Sequence, residues 1–345
     1  MRIIAILAVC LHGSAAVEPL QAEVLRPATT RAATTAPAEA RRYAPVLGPE
    51  YPEYAPSSAH LKGTLVSVGS PFVSSLINRW ADVLDNSNPD LGVNVSGFDS
   101  EQGPPALTAG TAQLAAMIRR ISDKERAAFQ AKFGYPPTEL IAAFDAMVIY
   151  VEKSNPIAQR GLTLKELDAA FSSERRRGGA PARVWGDFGL TGDWANRPIA
   201  LYGLPAGRAP HIMFSERVME GGGLNASMHG ELTYSSIIQA IAADPAGIGY
   251  CSIFYSTRRT RPVPIRTDDG KLVLPTLANC RNGTYPLARS LYVYVNKAPG
   301  RPLDPLTGEF VSFILSRQGQ QIAADGGNYP LAAEQVVAQR QLLEK

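Results

Sequence analysis

Histidine and cysteine are scarce: four and three among 345 residues. His60, His211 and His229 stand far apart, so the sequence spells no metal-ligating cluster. There is no G-x-S-x-G elbow and no nucleophile–base pair at a recognisable spacing, so an enzyme is not expected. "GDFGLTGDW" (186–194) has glycines but neither the spacing nor the lysine of a phosphate-cradling P-loop. No apolar run approaches the ~20 residues that span a bilayer. Charge is nearly balanced at +3, the basic residues are scattered, and aromatic residues do not interleave with them. That removes a nucleic-acid platform. The single basic run, "ERRRGG" (174–179), reads as a solvated loop, with a docking patch as the alternative.

The first residues read as an address. Arg2 precedes the short apolar run "IIAILAVCL", and Ser14 and Ala16 make a cleavage site after Ala16. A signal peptide over 1–16 predicts a soluble protein of the periplasm or the exterior. Its removal leaves Cys251 and Cys280. An even pair in an oxidising compartment predicts one disulfide, with two separate buried thiols as the alternative. Residues 17–61 are rich in Pro, Ala and Thr without periodicity and read as a mostly extended linker. The tyrosines of "YPEYAP" are expected to pack on the body or to bind a partner.

From residue 62 strands alternate with helices. "GTLVSV" (63–68) is a strand, and Val73, Leu76, Ile77, Trp80, Val83 and Leu84 form one helical face after it. Strands follow at 92–97 and 112–117. A surface helical stretch precedes a strand over 145–153. Thr163 and Glu166 have capping-box spacing at the start of a helix over 163–171. Further strands are expected at 197–203, 247–254 and 289–297, with helices at 212–221, 234–245 and, as a pair, 306–327. Such alternation predicts parallel sheets with right-handed crossovers.

Three loops run from a strand into a helix start: "GSPF" (69–72), "FDSEQGPP" (98–105) and "GLPAGRAPH" (203–211). Ligands of parallel sheets sit at such junctions, where hydroxyls and helix amides favour an anion. Three of them over two α/β halves predict a cleft between lobes.

The stretches "GTLVSVGSPFVSSLINRWADVL", "PALTAGTAQLAAMIRR", "DAMVIYVEKSNPIAQRGLTLKELDAAFS", "WGDFGLTGDWANRPIALYG", "IIQAIAADPAGIGYCSI" and "YPLARSLYVYVN" resemble the type II periplasmic binding proteins. Specifically, they resemble the phosphate-binding subunits of ABC importers, over about residues 62–331. The resemblance implies an α/β fold of two lobes with a central cleft and two hinge crossings. Lobe one would comprise 62–149 plus 289–331 and lobe two 150–288, with a C-terminal helix over 332–345. Tyr150–Lys153 and Arg289–Tyr292 would lie near the crossings. It implies capture of a small phosphate-like oxyanion by a monomer that delivers it to an ABC permease, with no cofactor and no metal. The ligand set would be Ser70, Phe72, Ser100 and Arg208.

The chain departs from the family pattern at those loops. Pro71 lacks an N–H, Asp99 and Glu101 replace small residues, and Ile118 stands where a polar residue is usual. Leu204 holds the family's arginine position, and "RAP" (208–210) replaces Ser-Gly-Thr. Arg208 is expected either to replace the lost arginine or to turn to solvent or pair with Asp99 or Glu101. His211 is expected to be a packing residue or a pH-sensitive neighbour. The alternative function is a binding-protein fold that no longer transports and serves as an envelope sensor or protein-interaction module.

Overall fold

A computed structural model describes residues 45–57, 61–87, 90–206 and 209–344. The predicted signal peptide and Arg208 lie outside the described residues, as does the linker before residue 45.

The chain runs β1 (Gly63–Gly69), α1 (Pro71–Ser87), β2 (Leu91–Ser96), α2 (Gly103–Ala109), β3 (Leu114–Met117), α3 (Asp123–Phe133) and β4 (Thr138–Glu152). Then come α4 (Ile157–Arg160), α5 (Leu164–Phe171), β5 (Ala200–Gly203), α6 (Ala209–Met219), β6 (His229–Gly230), α7 (Tyr234–Ala243) and β7 (Gly247–Ser252). It closes with β8 (Thr260–Pro262), β9 (Ile265–Arg266), β10 (Leu272–Val273), α8 (Leu277–Arg281), β11 (Ala288–Val295), α9 (Pro305–Ile314), α10 (Arg317–Asp325) and α11 (Ala333–Glu344). No helix among the described residues is long and apolar enough to cross a membrane.

Local chemistry explains much of this. The α1 stripe buries Val73, Leu76, Ile77, Trp80 and Leu84, whereas Val83 is exposed at the edge of the stripe. The capping box forms: Thr163 Oγ1 accepts from the Glu166 N–H, and Glu166 accepts from the Thr163 N–H. Pro104 and Pro105 stand in the first turn of α2, where an N–H would lack a partner.

The main sheet is ordered β2-β1-β3-β11-β4-β7-β5-β6, with β8 also on β4. The expectation of parallel sheets holds only at its two ends. There β1 pairs in parallel with β2 and β3, and β5 with β6 and β7. Its middle is antiparallel: β11 against β3 and β4, and β4 against β7 and β8. The reason is β4. Its residues 138–146 pair with β11 and its residues 147–152 with β7 and β8, so one long strand serves both halves of the sheet. Residues 45–344 lie in one compact unit around it.

Residues 45–57 of the predicted linker are packed on the body. Tyr51 is buried and its hydroxyl donates to Leu331 O at 2.8 Å. Tyr54 sits edge-on to Phe313 and donates its hydroxyl to Glu309. Of the two roles open to these tyrosines, the structure gives them the packing role.

The two cysteines are free, which corrects the predicted disulfide. Strand alternation separates them. Cys251 on β7 is opposite Val148 on β4, and both enter a cluster with Ile237, Ile238 and Ile241 of α7. Cys280 on α8 joins the large core on the other side, together with Met147 and Ile149. Successive β4 side chains point to opposite faces, so the sheet lies between the two sulfurs.

Candidate functional site

The first two loops converge because β1 and β3 are neighbours in the sheet. Gly69 (φ +148°) passes so close to β3 that an added Cβ would stand 2.0 Å from Ala116 O. Gly97 (φ +111°) approaches Gly69 in the same way, with a Cβ placed 2.5 Å from Gly69 O. Only glycine fits either position, and the loops that follow are thereby pressed together. The Ser70 N–H donates to Ala116 O at 2.7 Å, and Ser100 Oγ accepts from the Ile118 N–H at 3.1 Å. Both serines are buried.

These loops open on a cavity of about 470 Å³. Ser70, Phe72 and Ser100, three of the four expected ligand residues, line it together. Arg208 lies outside the described residues, although Met213 and Arg217 from later in α6 form the facing wall. His211 is buried in α6 and does not line the cavity. Burial lowers its pKa, which favours the neutral ring of a packing residue.

The residue that sequence reasoning left without a ligand role is Arg289. It lines the cavity with its side chain only 4% exposed. Its Nε and Nη2 donate to Asp145 Oδ2 at 3.2 and 2.9 Å, and its guanidinium carbon stands 4.0 Å from the centroid of the Phe72 ring. Nη1 has no partner among the described residues. A signal was available: Asp145 and Arg289 each precede an apolar run in the sequence, and β4 and β11 place them directly opposite one another.

The carboxylates of the second loop behave differently from each other. Asp99 Oδ1 accepts from the N–H groups of Glu101 at 2.8 Å and Gln102 at 3.2 Å. The loop thus caps its own amides, leaving fewer for an external anion. Glu101 lines the cavity, as does Glu216 from α6. Leu204, at the expected arginine position, is buried among Val148, Tyr150 and Ile237, away from the cavity. The site therefore has two hydroxyls and the buried Arg289 guanidinium, with Arg119 and Arg217 and the carboxylates of Asp99, Glu101 and Glu216 in the same lining.

Residues 55–318 match the PBP superfamily domain, which is most of the chain. The chain belongs to that superfamily. Among its relatives, a phosphate-binding protein of Pseudomonas aeruginosa, PstS, is 39% identical over 300 residues, covering 86% of this chain and 91% of that one. Protein SphX of Synechococcus elongatus is 25% identical over 321 residues, covering 92% and 90%. PBP folds also stand among the similar solved structures. One is described as a possible phosphate binding protein from Planctomyces limnophilus, with a TM-score of 0.70, 22% identity, and 82% of this chain and 98% of that one covered. Another is an ABC-type phosphate transport receptor from Vibrio cholerae, with a TM-score of 0.61, 19% identity, and coverage of 77% and 99%. The mixed α/β fold with a shared central strand is the PBP fold.

Proposed function

We propose that the protein is an extracytoplasmic solute-binding component that captures a small, phosphate-like oxyanion between two lobes and passes it to an ABC permease. The observation that carries this is the convergence of Ser70, Phe72 and Ser100, from two strand-to-helix loops, on one cavity with the buried guanidinium of Arg289. A charge-assisted bond from Arg289 Nη1 to an oxyanion contributes about 1.5–3 kcal/mol. The PstS relative is itself a phosphate-binding protein, and this chain spans nearly its whole length. The lobes would be 62–149 with 289–331, and 150–288, closing about β4 and β11. The apolar leader after Arg2 supports a location in the periplasm or outside the cell, and on this reading the protein acts as a monomer with no catalytic role.

A second reading has its own support. Asp99 occupies loop amides, and Leu204, at the family's arginine position, is packed in the core, so one contact expected of the family's anion site is used internally and another is missing. On that reading the fold serves as an envelope sensor or interaction module.

A thermal-shift panel of orthophosphate, methylphosphonate, sulfate and molybdate tests the first reading. A ligand at 100 times its Kd adds about 2.7 kcal/mol of stability. A flat response across the panel favours the second.

A further inference from the structure

Ile118, Arg119, Arg217 and Arg289 line the cleft cavity and also a neighbouring groove of about 590 Å³. The two spaces share that wall. The groove adds Arg120 and Arg281, so among the described residues five arginines line it and no carboxylate does. In the cleft cavity, by contrast, Arg119, Arg217 and Arg289 are matched by three carboxylates, Asp99, Glu101 and Glu216.

The partners of the five arginines decide the sign of the field. Arg119 pairs with Glu125 at 2.8 Å, Arg120 with Glu139 at 3.3 Å and Arg289 with Asp145 at 2.9 Å. Arg281 donates from Nε to Pro330 O at 2.7 Å and from Nη2 to Leu331 O at 2.8 Å. Those neutral oxygens fix its side chain without cancelling its charge. Arg217 is exposed and makes no ion pair among the described residues. Among the described residues, two guanidinium charges therefore lack a carboxylate, and both line the same space.

We propose that this groove is a second anion seat and that the ligand is a small multivalent oxyanion. One anionic group would lie in the cleft at Ser70, Ser100 and Arg289, and the remaining charge against Arg217 and Arg281. The physical reason is the contrast between the spaces. A compact dianion held only in the cleft meets three carboxylates beside its three arginines, whereas a longer anion also reaches Arg120 and Arg281, away from those carboxylates, with planar forks that match its oxygens. The inference rests on the cleft being the ligand site and goes beyond it in assigning the groove and the ligand's valence.

Isothermal titration of the purified chain with tripolyphosphate, citrate and orthophosphate tests this. Tripolyphosphate binds about tenfold or more tighter than orthophosphate if one added charge-assisted contact forms. Arg281→Gln, which lies in the groove only, then removes about tenfold of the tripolyphosphate affinity and leaves that for orthophosphate unchanged. Should Arg281→Gln fail to fold, Arg120→Gln replaces it. That side chain is 69% exposed, and its loss weakens tripolyphosphate several-fold. Citrate matching tripolyphosphate supports the proposal. Equal affinity for orthophosphate and tripolyphosphate overturns it and leaves the cleft reading standing, as does tripolyphosphate binding that neither substitution alters. Failure of all three anions to bind overturns both. An oligo-glutamate peptide that outcompetes tripolyphosphate would make the groove a protein interface and overturn the small-molecule assignment.

Discussion

Arg289 lies over the ring of Phe72, 4.0 Å from guanidinium carbon to ring centroid, while the same guanidinium holds Asp145. One side chain on β11 thus ties the start of α1 to β4, joining the cleft loops to the strand that both halves of the sheet share. Geometry of this kind packs the start of α1 against β4 and β11. A desolvated cation–π contact contributes about 2 kcal/mol, and the ion pair prevents Asp145 from standing as an uncompensated charge.

Removing Arg289 should therefore cost more than removing the pair. Arg289→Gln is expected to lower stability by about 3 kcal/mol, the usual cost of stranding one partner of a buried pair. Adding Asp145→Asn should recover part of that loss. Urea denaturation of the two single variants and the double variant measures it; strictly additive losses would show that the pair is not coupled. Binding of any cleft anion should be lost in both Arg289 variants.

Leu204→Arg returns the residue expected of the family but places it in an apolar cluster with Val148, Tyr150 and Ile237. The expected result is a destabilisation of about 3 kcal/mol or more with no gain in phosphate affinity. A variant as stable as the parent that binds orthophosphate more tightly would mean that the 204–206 segment turns outward freely.

The thiols should be inert in the folded protein. Burial raises both pKa values, that of Cys280 to about 12. At pH 8 both therefore remain protonated, and iodoacetamide should label neither until urea is added. Intact mass without reductant should correspond to two thiols; a mass lighter by two hydrogens would restore the disulfide.

Glu125 carries a pH-dependent contribution. Its hydrogen bond from Arg119 is the largest cause holding its pKa at about 2, below the ordinary carboxyl value of 4.5. A depressed carboxylate stabilises the fold above its unfolded pKa and loses that contribution as pH falls through the folded value. Arg119 is 38% exposed, so solvent screening reduces the contribution to about 1 kcal/mol. Glu125→Gln should be less stable than the parent by about that much at pH 7, and the gap should close between pH 4.5 and 2. An unchanged gap at pH 2, read from urea midpoints, would remove Arg119 as the cause.

The chain's own order made its local features readable. The α1 stripe, the Thr163–Glu166 box, the prolines at the start of α2 and the serines after β1 and β2 are set by residues within a turn or two of one another. The strand expected over 145–153 begins seven residues earlier, at Thr138. From Ala142 onward β4 is buried on both faces apart from Asp145, so no alternation marks its course through the sheet.

By itself, then, the sequence determined the α/β class, the family and where strands hand over to helices, because short-range spacing and helix starts carry that information. Only the tertiary structure decided that the middle of the sheet is antiparallel and that the two sulfurs lie on opposite faces of it. It also decided that Leu204 belongs to the core and that Arg289 meets Asp145, a residue 144 positions earlier. Those outcomes depend on which strands become neighbours, and pairing between distant segments is set by how the whole chain buries its apolar faces.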